Sequence, residues 1–279
     1  MNNNLNKVKY EEPCDGRLSS TVPREGRGET PRHLLNPEIL VADFTQVYAE
    51  EGLLPFLEER KVPAHVVRMD DIEGTSCYCD PEAEVEIRRR LAPWSGCGVR
   101  WIDSGDYHYV SKILAGFERE PFTLVLVDNH PDDQEPAFGG VLSCGSWVRA
   151  MRAENPLLED VWTLGPDHGI RNTSGSVDRE LKEGIDDLVG ALQGKRVYLS
   201  VDKDVLRRED SRTDWSQGSY SLATLEGWLD RLLEETDIVA LDLCGELSPA
   251  KGATPEDLRI NGQTNRTLQE RILDHWKQK

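Results

Sequence analysis

The sequence predicts an α/β fold in three layers, a mainly parallel central sheet with helices on both faces. Three observations carry that expectation. Residues 123–127, Thr-Leu-Val-Leu-Val, are a continuous apolar or β-branched run, the pattern of a strand buried on both faces. Strand-like and helix-like segments alternate without interruption, as crossover connections in a parallel sheet require. A chain of 279 residues can also bury a substantial core.

Taken in order, residues 1–37 are rich in Asn, Gly, Pro, Arg and Glu without periodicity and are expected to form an irregular arm. Residues 38–279 read as one domain, with no dividing linker and no internal repeat. Ile39-Leu-Val-Ala-Asp-Phe44 is the first strand, and residues 45–60 have the apolar spacing of a helix. A second strand is expected over 64–68. Asp80-Pro-Glu opens a helix in the N-cap and N1 manner, running to Leu91. Residues 99–102 form a third strand, and a helix over 109–119 leads to the central strand. The Gly-rich loop 138–146 precedes a helix through Ala153, and 161–164 read as a fifth strand. An amphipathic helix over 177–193 then precedes a sixth strand at 196–201. Helix 222–235, strand 238–243 and a closing helix over 263–277 complete the pattern.

Composition excludes several classes of partner. A net charge of -18 argues against nucleic acid or an anionic membrane, both of which want Lys and Arg clusters, and suits a small cationic substrate. No apolar run reaches the length of a membrane span, and Met1-Asn-Asn-Asn-Leu-Asn lacks the regions of a signal peptide, so a cytoplasmic location is expected. The six cysteines lack Cys-x-x-Cys spacing and read as free thiols in a reducing compartment, with Cys77 and Cys79 as small buried hydrophobes.

The chemistry gathers at strand ends. Asp128, His130 and Asp132 follow the central strand at every second position, so an extended backbone projects them to one side. Pro131 cannot donate to a ladder, so pairing should end there and a loop begin. Asp202 and Asp204 repeat the spacing after the sixth strand, and His108 lies in the loop after the third. In a parallel sheet these ends share one edge, where ligands bind. Four carboxylates and two imidazoles suffice for two divalent cations, and hard oxygen with imidazole suits manganese, with zinc or iron as alternatives.

Gly105-Asp-Tyr-His108, Asp128-Asn-His-Pro-Asp132 and Ser200-Val-Asp-Lys-Asp204 resemble, in order, the signature elements of the arginase and agmatinase (ureohydrolase) family. The likeness extends from about Ile39 to the C-terminus, where Ala240-Leu-Asp-Leu-Cys-Gly-Glu246, Pro249 and Asn261-Gly-Gln-Thr264 are similar to the family's ending. The resemblance implies the arginase/deacetylase-like α/β fold and two manganese ions. One would be held by His108, Asp128, Asp132 and Asp202, the other by Asp128, His130, Asp202 and Asp204, with Asp128 and Asp202 bridging. It also implies hydrolysis of a linear C–N bond in a guanidino or amidino compound through a metal-bridging hydroxide. Asp132 would pass the proton to the leaving amine, Glu246 would pair with the substrate guanidinium, and the protein would be a homo-oligomer.

Three departures from the family pattern bear on the substrate. Tyr107 separates Asp106 from His108, Cys144-Gly145 stands where the family carries a His-Gly pair, and Gly245 is an extra residue before Glu246. Cys144 is the candidate substitute acid, against its reading as a small buried thiol. Two other readings follow: a deacetylase-like amidohydrolase with a single zinc, and a non-catalytic member that keeps the metals as a scaffold. His168, after the fifth strand, reads as a turn residue that could line the cleft, and His33, His65 and His275 as structural or surface residues. Trp215 and Tyr220 flank the loop after Asp204 and read as packing aromatics that could wall the pocket.

Overall fold

The computed structural model describes residues 37–137, 139–165, 169–173, 179–181 and 184–277. The expected arm over residues 1–37, Cys14, His33 and His168 lie outside the described residues, Pro37 excepted. The chain runs β1 (Ile39–Asp43), α1 (Val47–Glu50), α2 (Leu53–Glu59), β2 (Ala64–Arg68), β3 (Tyr78–Cys79), α3 (Pro81–Leu91) and β4 (Val99–Ile102). It continues with α4 (Val110–Ala115), β5 (Phe122–Val127), β6 (Leu142–Ser143), α5 (Trp147–Glu154), β7 (Leu158–Gly165), β8 (Gly169–Asn172) and β9 (Arg179–Leu181). The last elements are α6 (Ile185–Ala191), β10 (Arg196–Asp202), α7 (Leu222–Glu235), β11 (Asp237–Cys244) and α8 (Pro255–Lys277).

Nine strands form the main sheet in the order β2-β1-β4-β11-β10-β5-β7-β8-β9. The first seven are parallel, and β8 and β9 add antiparallel at one edge. Side chains alternate across the sheet, with Val125 and Val127 of β5 in one apolar cluster and Leu124 and Leu126 in the other. Helices α1, α2, α6, α7 and α8 cover the first face, α3, α4 and α5 the second. This is the arginase-like three-layer αβα fold. Among the described residues no helix is long and apolar enough to cross a membrane.

Four boundaries differ from the sequence reading. The helix expected over 45–60 is split in two at Gly52, whose φ of 82 is left-handed and whose missing Cβ would stand 3.0 Å from Arg266. The break turns Glu51 inward, where it is 6 % exposed. Of the helix expected over 177–193, only Ile185–Ala191 forms. Ahead of it Gly184 has φ 79 and ψ -142, which no helix accommodates, and Arg179–Leu181 pairs with β8 instead. The helix expected over 109–119 is confined to Val110–Ala115, after a 3-10 turn at Gly105–Tyr107. The closing helix starts earlier than expected because Thr254 and Asp257 exchange hydrogen bonds, 3.0 Å and 3.2 Å, ahead of Pro255. A two-stranded sheet of β3 and β6, too short to show periodicity, ties Tyr78 and Cys79 to residues 142–143. Cys79 is buried as expected, but Cys77 is half-buried in a left-handed turn with φ 60.

Candidate metal centre

The carboxyl ends of β4, β5, β10 and β11 stand side by side, because these strands are consecutive in the sheet order β4-β11-β10-β5. Asp128 continues β5 and Asp202 ends β10, so the two acids lie on neighbouring strands. Past Ile102, Ser104 bridges to Glu246 and the 3-10 turn Gly105–Tyr107 absorbs the residue that separates Asp106 from His108. Tyr107 stacks on Phe44 with ring centroids 4.0 Å apart, so it turns into the core and His108 turns toward the acids.

Two groups of side chains meet at this edge and share Asp128. In the first, His108 Nδ1 lies 3.2 Å from Asp128 Oδ2, 3.1 Å from Asp132 Oδ2 and 3.4 Å from Asp202 Oδ2. In the second, His130 Nδ1 lies 2.7 Å from Asp204 Oδ2 and 3.6 Å from Asp128 Oδ1. All six expected ligands are therefore gathered in one place. Asp132 reaches it through a left-handed backbone, φ 47, uncommon for a non-glycine residue although aspartate tolerates it better than most.

A surrounding shell fixes these groups. Ser200 Oγ is 2.9 Å from His108 Nε2 and Ser216 Oγ is 2.8 Å from His130 Nε2, which leaves each Nδ1 facing the acids. Trp147 Nε1 donates to Asp132 Oδ2 at 2.6 Å, and the amides of Asn129 and Asp204 donate to Asp204 and Asp202 at 3.0 Å and 2.8 Å. Ser200 belongs to the same every-second-residue series as Asp202, but its contact with His108 was not among the expected roles. Trp147 and Ser216 carry no local sequence signal. Cys244 was read only as a thiol, yet its Sγ is 3.1 Å from Asp202 Oδ2 and it forms a third potential ligand group with His108 and Asp202.

The electrostatics are those of anions crowded out of water. Burial, reinforced by Asp204, pushes Asp202 up to about 6, and burial with Asp128 pushes Asp204 up to about 7. Asp128 and Asp132 are raised too, chiefly by burial. Hydrogen bonds to Asp128 and Asp204 hold the His130 imidazolium up to about 11. Divalent cations fit this donor set on a direct observation: His108 Nδ1 and Asp128 Oδ2 are both buried without a hydrogen-bond partner, although they face each other. Oxygen and imidazole donors converging with unspent lone pairs are what such cations coordinate.

Gly245 is built into the same cluster. Its φ is 97, and a Cβ there would fall 2.2 Å from Asp202 Oδ1 and 2.8 Å from the Lys203 amide. Gly245→Ala is expected to lower stability by about 1 to 3 kcal/mol and to weaken cation binding, because Asp202 must move. Denaturant unfolding with a parallel cation titration checks this, and a variant that binds cations as the parent does would contradict it.

Two expected catalytic residues stand apart from the six. Glu246 is fully buried and takes an ion pair from Lys203 and a 3.0 Å hydrogen bond from Asn265, so its placement runs against the expected role as the partner of a substrate guanidinium. The left-handed turn at Gly245 is the physical reason, since it turns the following side chain inward. Cys144 is buried beside β6, its amide donating to Cys77 O at 2.9 Å. Burial, and after it Asp132, pushes its thiol well above the ordinary range, so it keeps its proton at neutral pH. Trp215 lies over Gly105 and sits edge-on to His130 at 6.3 Å, at the margin of the centre. Tyr220 packs instead on Trp228 at 4.9 Å and donates to Gly165 O at 3.2 Å. His275 is buried, and His65 stacks on Trp94.

No protein-family model matches the chain. It is 31% identical over 223 residues to an uncharacterized protein of Thermotoga maritima, covering 77% of this chain and 82% of that one. Among solved structures, it is similar to proclavaminate amidino hydrolase from Streptomyces clavuligerus, with a TM-score of 0.61 and 14% identity over 88% of this chain and 94% of the other. Formimidoylglutamase from Bacillus subtilis gives 0.59 and 13% over 89% of each chain. Agmatine ureohydrolase of Thermoplasma volcanium gives 0.58 and 13% over 88% and 92%.

Proposed function

This chain belongs to one family with the Thermotoga maritima protein and has the fold of the arginases and agmatinases, and from that premise we propose a metal-dependent hydrolase of linear guanidino or amidino compounds. The observation that carries the reading is the pair of ligand groups, His108-Asp128-Asp132 and Asp128-His130-Asp204, joined at one acid. Residues His108, Asp128, Asp132 and Asp202 would hold one divalent cation and Asp128, His130, Asp202 and Asp204 the other, manganese being the first choice for such donors. Cations so held supply Lewis acidity and make hydroxide available from water at neutral pH. Asp132, which accepts a hydrogen bond from Trp147, would carry a proton to a leaving amine. The acidic surroundings suit a small cationic substrate, and its anchor is sought outside Glu246, which Lys203 occupies.

The test is release of urea or ammonia from arginine, agmatine, guanidinobutyrate, formiminoglutamate and related compounds, with manganese, zinc or iron added to stripped protein. Turnover of at least one compound, lost on chelation, is the expected result. Silence across the panel by protein that still binds cations would replace the hydrolase with a scaffold, a reading favoured by the engaged Glu246 and by Cys144-Gly145. Full activity with one zinc per chain would replace it with a single-metal amidohydrolase.

Cation binding is also expected to depend on pH. In cation-free protein the raised pKa values of Asp202 and Asp204, about 6 and about 7, mean that the folded state holds these protons more tightly than the unfolded chain does. Their contribution to stability therefore falls as pH rises from about 4 to about 7. Cations displace those protons and the one on His130. The gain in stability from added manganese should be small near pH 5 and reach about 2.7 kcal/mol near pH 7.5 at a hundredfold excess over Kd. Thermal unfolding with and without manganese measures it, and equal gains at both pH values would refute the proton competition.

A further inference from the structure

At the opposite edge of the sheet, Glu38, His65 and Cys97 bring a carboxylate, an imidazole and a thiol together, with their potential ligand atoms all within 4.8 Å of one another. They come from three strands adjacent in the sheet order β2-β1-β4: Glu38 precedes β1, His65 lies in β2 and Cys97 precedes β4. We propose that these residues form a second, independent cation site that takes a thiophilic divalent ion, zinc before manganese.

Each donor is held by structure unconnected with the centre described above. The Ile39 amide donates to Pro63 O at 2.9 Å, which locks the start of β1 beside β2, and His65 is in register with Leu40. The His65 ring stacks on Trp94, centroids 3.9 Å apart and planes 19° apart, so its orientation is set. Its Nε2 is buried without a hydrogen-bond partner. Cys97 is anchored through its backbone, its amide donating to Trp94 O at 3.0 Å and its carbonyl accepting from Arg100 Nε at 3.1 Å. The thiol is 2 % exposed, and burial followed by the Glu38 charge pushes it up to about 11.

Thiolate, imidazole and carboxylate together select zinc over manganese, because sulfur favours the softer ion. Bond lengths of about 2.0 to 2.3 Å put tetrahedral ligand atoms roughly 3.3 to 3.8 Å apart, so the observed spacing needs only side-chain adjustment. Glu38 is at most partly covered, giving the ion a path from solvent. On binding, Cys97 gives its proton to solvent and donates the thiolate pair to the cation. Three protein donors leave a fourth position for water.

The test uses the full chain and cobalt(II) as a spectroscopic substitute for zinc, comparing the parent with Cys97→Ser, Cys244→Ser and Glu38→Gln. The parent should show a near-ultraviolet sulfur-to-cobalt charge-transfer band that zinc competes away. Cys97→Ser should abolish it and Cys244→Ser retain it, which separates this site from the acid-rich centre where Cys244 lies. Glu38→Gln, a near-isosteric change whose folding is verified by thermal unfolding, should weaken cobalt binding at least about 100-fold, since even indirect partners of metal ligands are worth 10–100-fold. No band in the parent, a band that survives Cys97→Ser, or Glu38→Gln binding like the parent would each overturn the proposal.

Discussion

Asp128→Ala is expected to abolish binding of both cations at the acid-rich centre and with it all hydrolysis. The reason lies in how the two oxygens of that carboxylate are divided. Oδ2 faces His108 Nδ1 at 3.2 Å, in the group completed by Asp132, while Oδ1 is 3.6 Å from His130 Nδ1, in the group completed by Asp204. Asp128 is common to both of these groups, so its removal withdraws a donor from each. Asp202→Ala should act in the same direction, because Asp202 lies 3.4 Å from His108 through one oxygen and orders the Asp204 amide at 2.8 Å through the other. Asp204→Ala is expected to spare the first cation and remove the second. Elemental analysis of the purified variants reads the ladder directly, and thermal unfolding should show manganese no longer stabilising Asp128→Ala. Unchanged metal content in that variant would contradict the assignment of a shared acid.

Much of this was legible because it depends on periodicity. Strands buried on both faces favour apolar and β-branched runs, and β5 has one, while β10 is apolar from Val197 apart from Ser200 until it ends at Asp202. The every-second-residue spacing marked the acids, and parallel strand order brought Asp128 and Asp202 to one edge, but Asp132 arrives through a left-handed backbone and Asp204 through a 3-10 turn rather than through an extended chain. What escaped the sequence depends on contacts between distant residues. Gly184 and the pairing of β9 with β8 override the helical periodicity of residues 177–193, because a sheet edge offers hydrogen bonds that a short helix lacks. Trp147 reaches Asp132 across a loop, and Ser216 reaches His130 from 86 positions away. Glu246 illustrates the limit best: its motif suggested a carboxylate waiting for a cationic ligand, and the cation it meets is Lys203 of the chain itself.

That pair gives the largest expected effect on stability. Lys203 sits between Asp202 and Asp204, so while the acids turn to the metal centre its side chain runs the other way, into the core. There it is fully buried, paired with Glu246, donating to Asn265 Oδ1 at 2.6 Å and lying over the Trp101 ring at 5.8 Å. Asn265 also donates to Glu51 at 2.9 Å, and burial, with Glu246 next, raises the Glu51 carboxyl well above its ordinary range. Lys203→Met keeps the packing against Trp101 but strips the cationic partner from a buried carboxylate beside a second acid. The expected loss is about 3 to 5 kcal/mol, the penalty of an uncompensated buried charge. Adding Glu246→Gln removes that charge and keeps the Asn265 contact, so the double variant should regain most of the loss even though the ion pair is gone. Denaturant midpoints for the parent, both single variants and the double variant form the cycle that measures this. A Lys203→Met midpoint close to the parent's would show that Lys203 is not what compensates the buried Glu246 carboxylate.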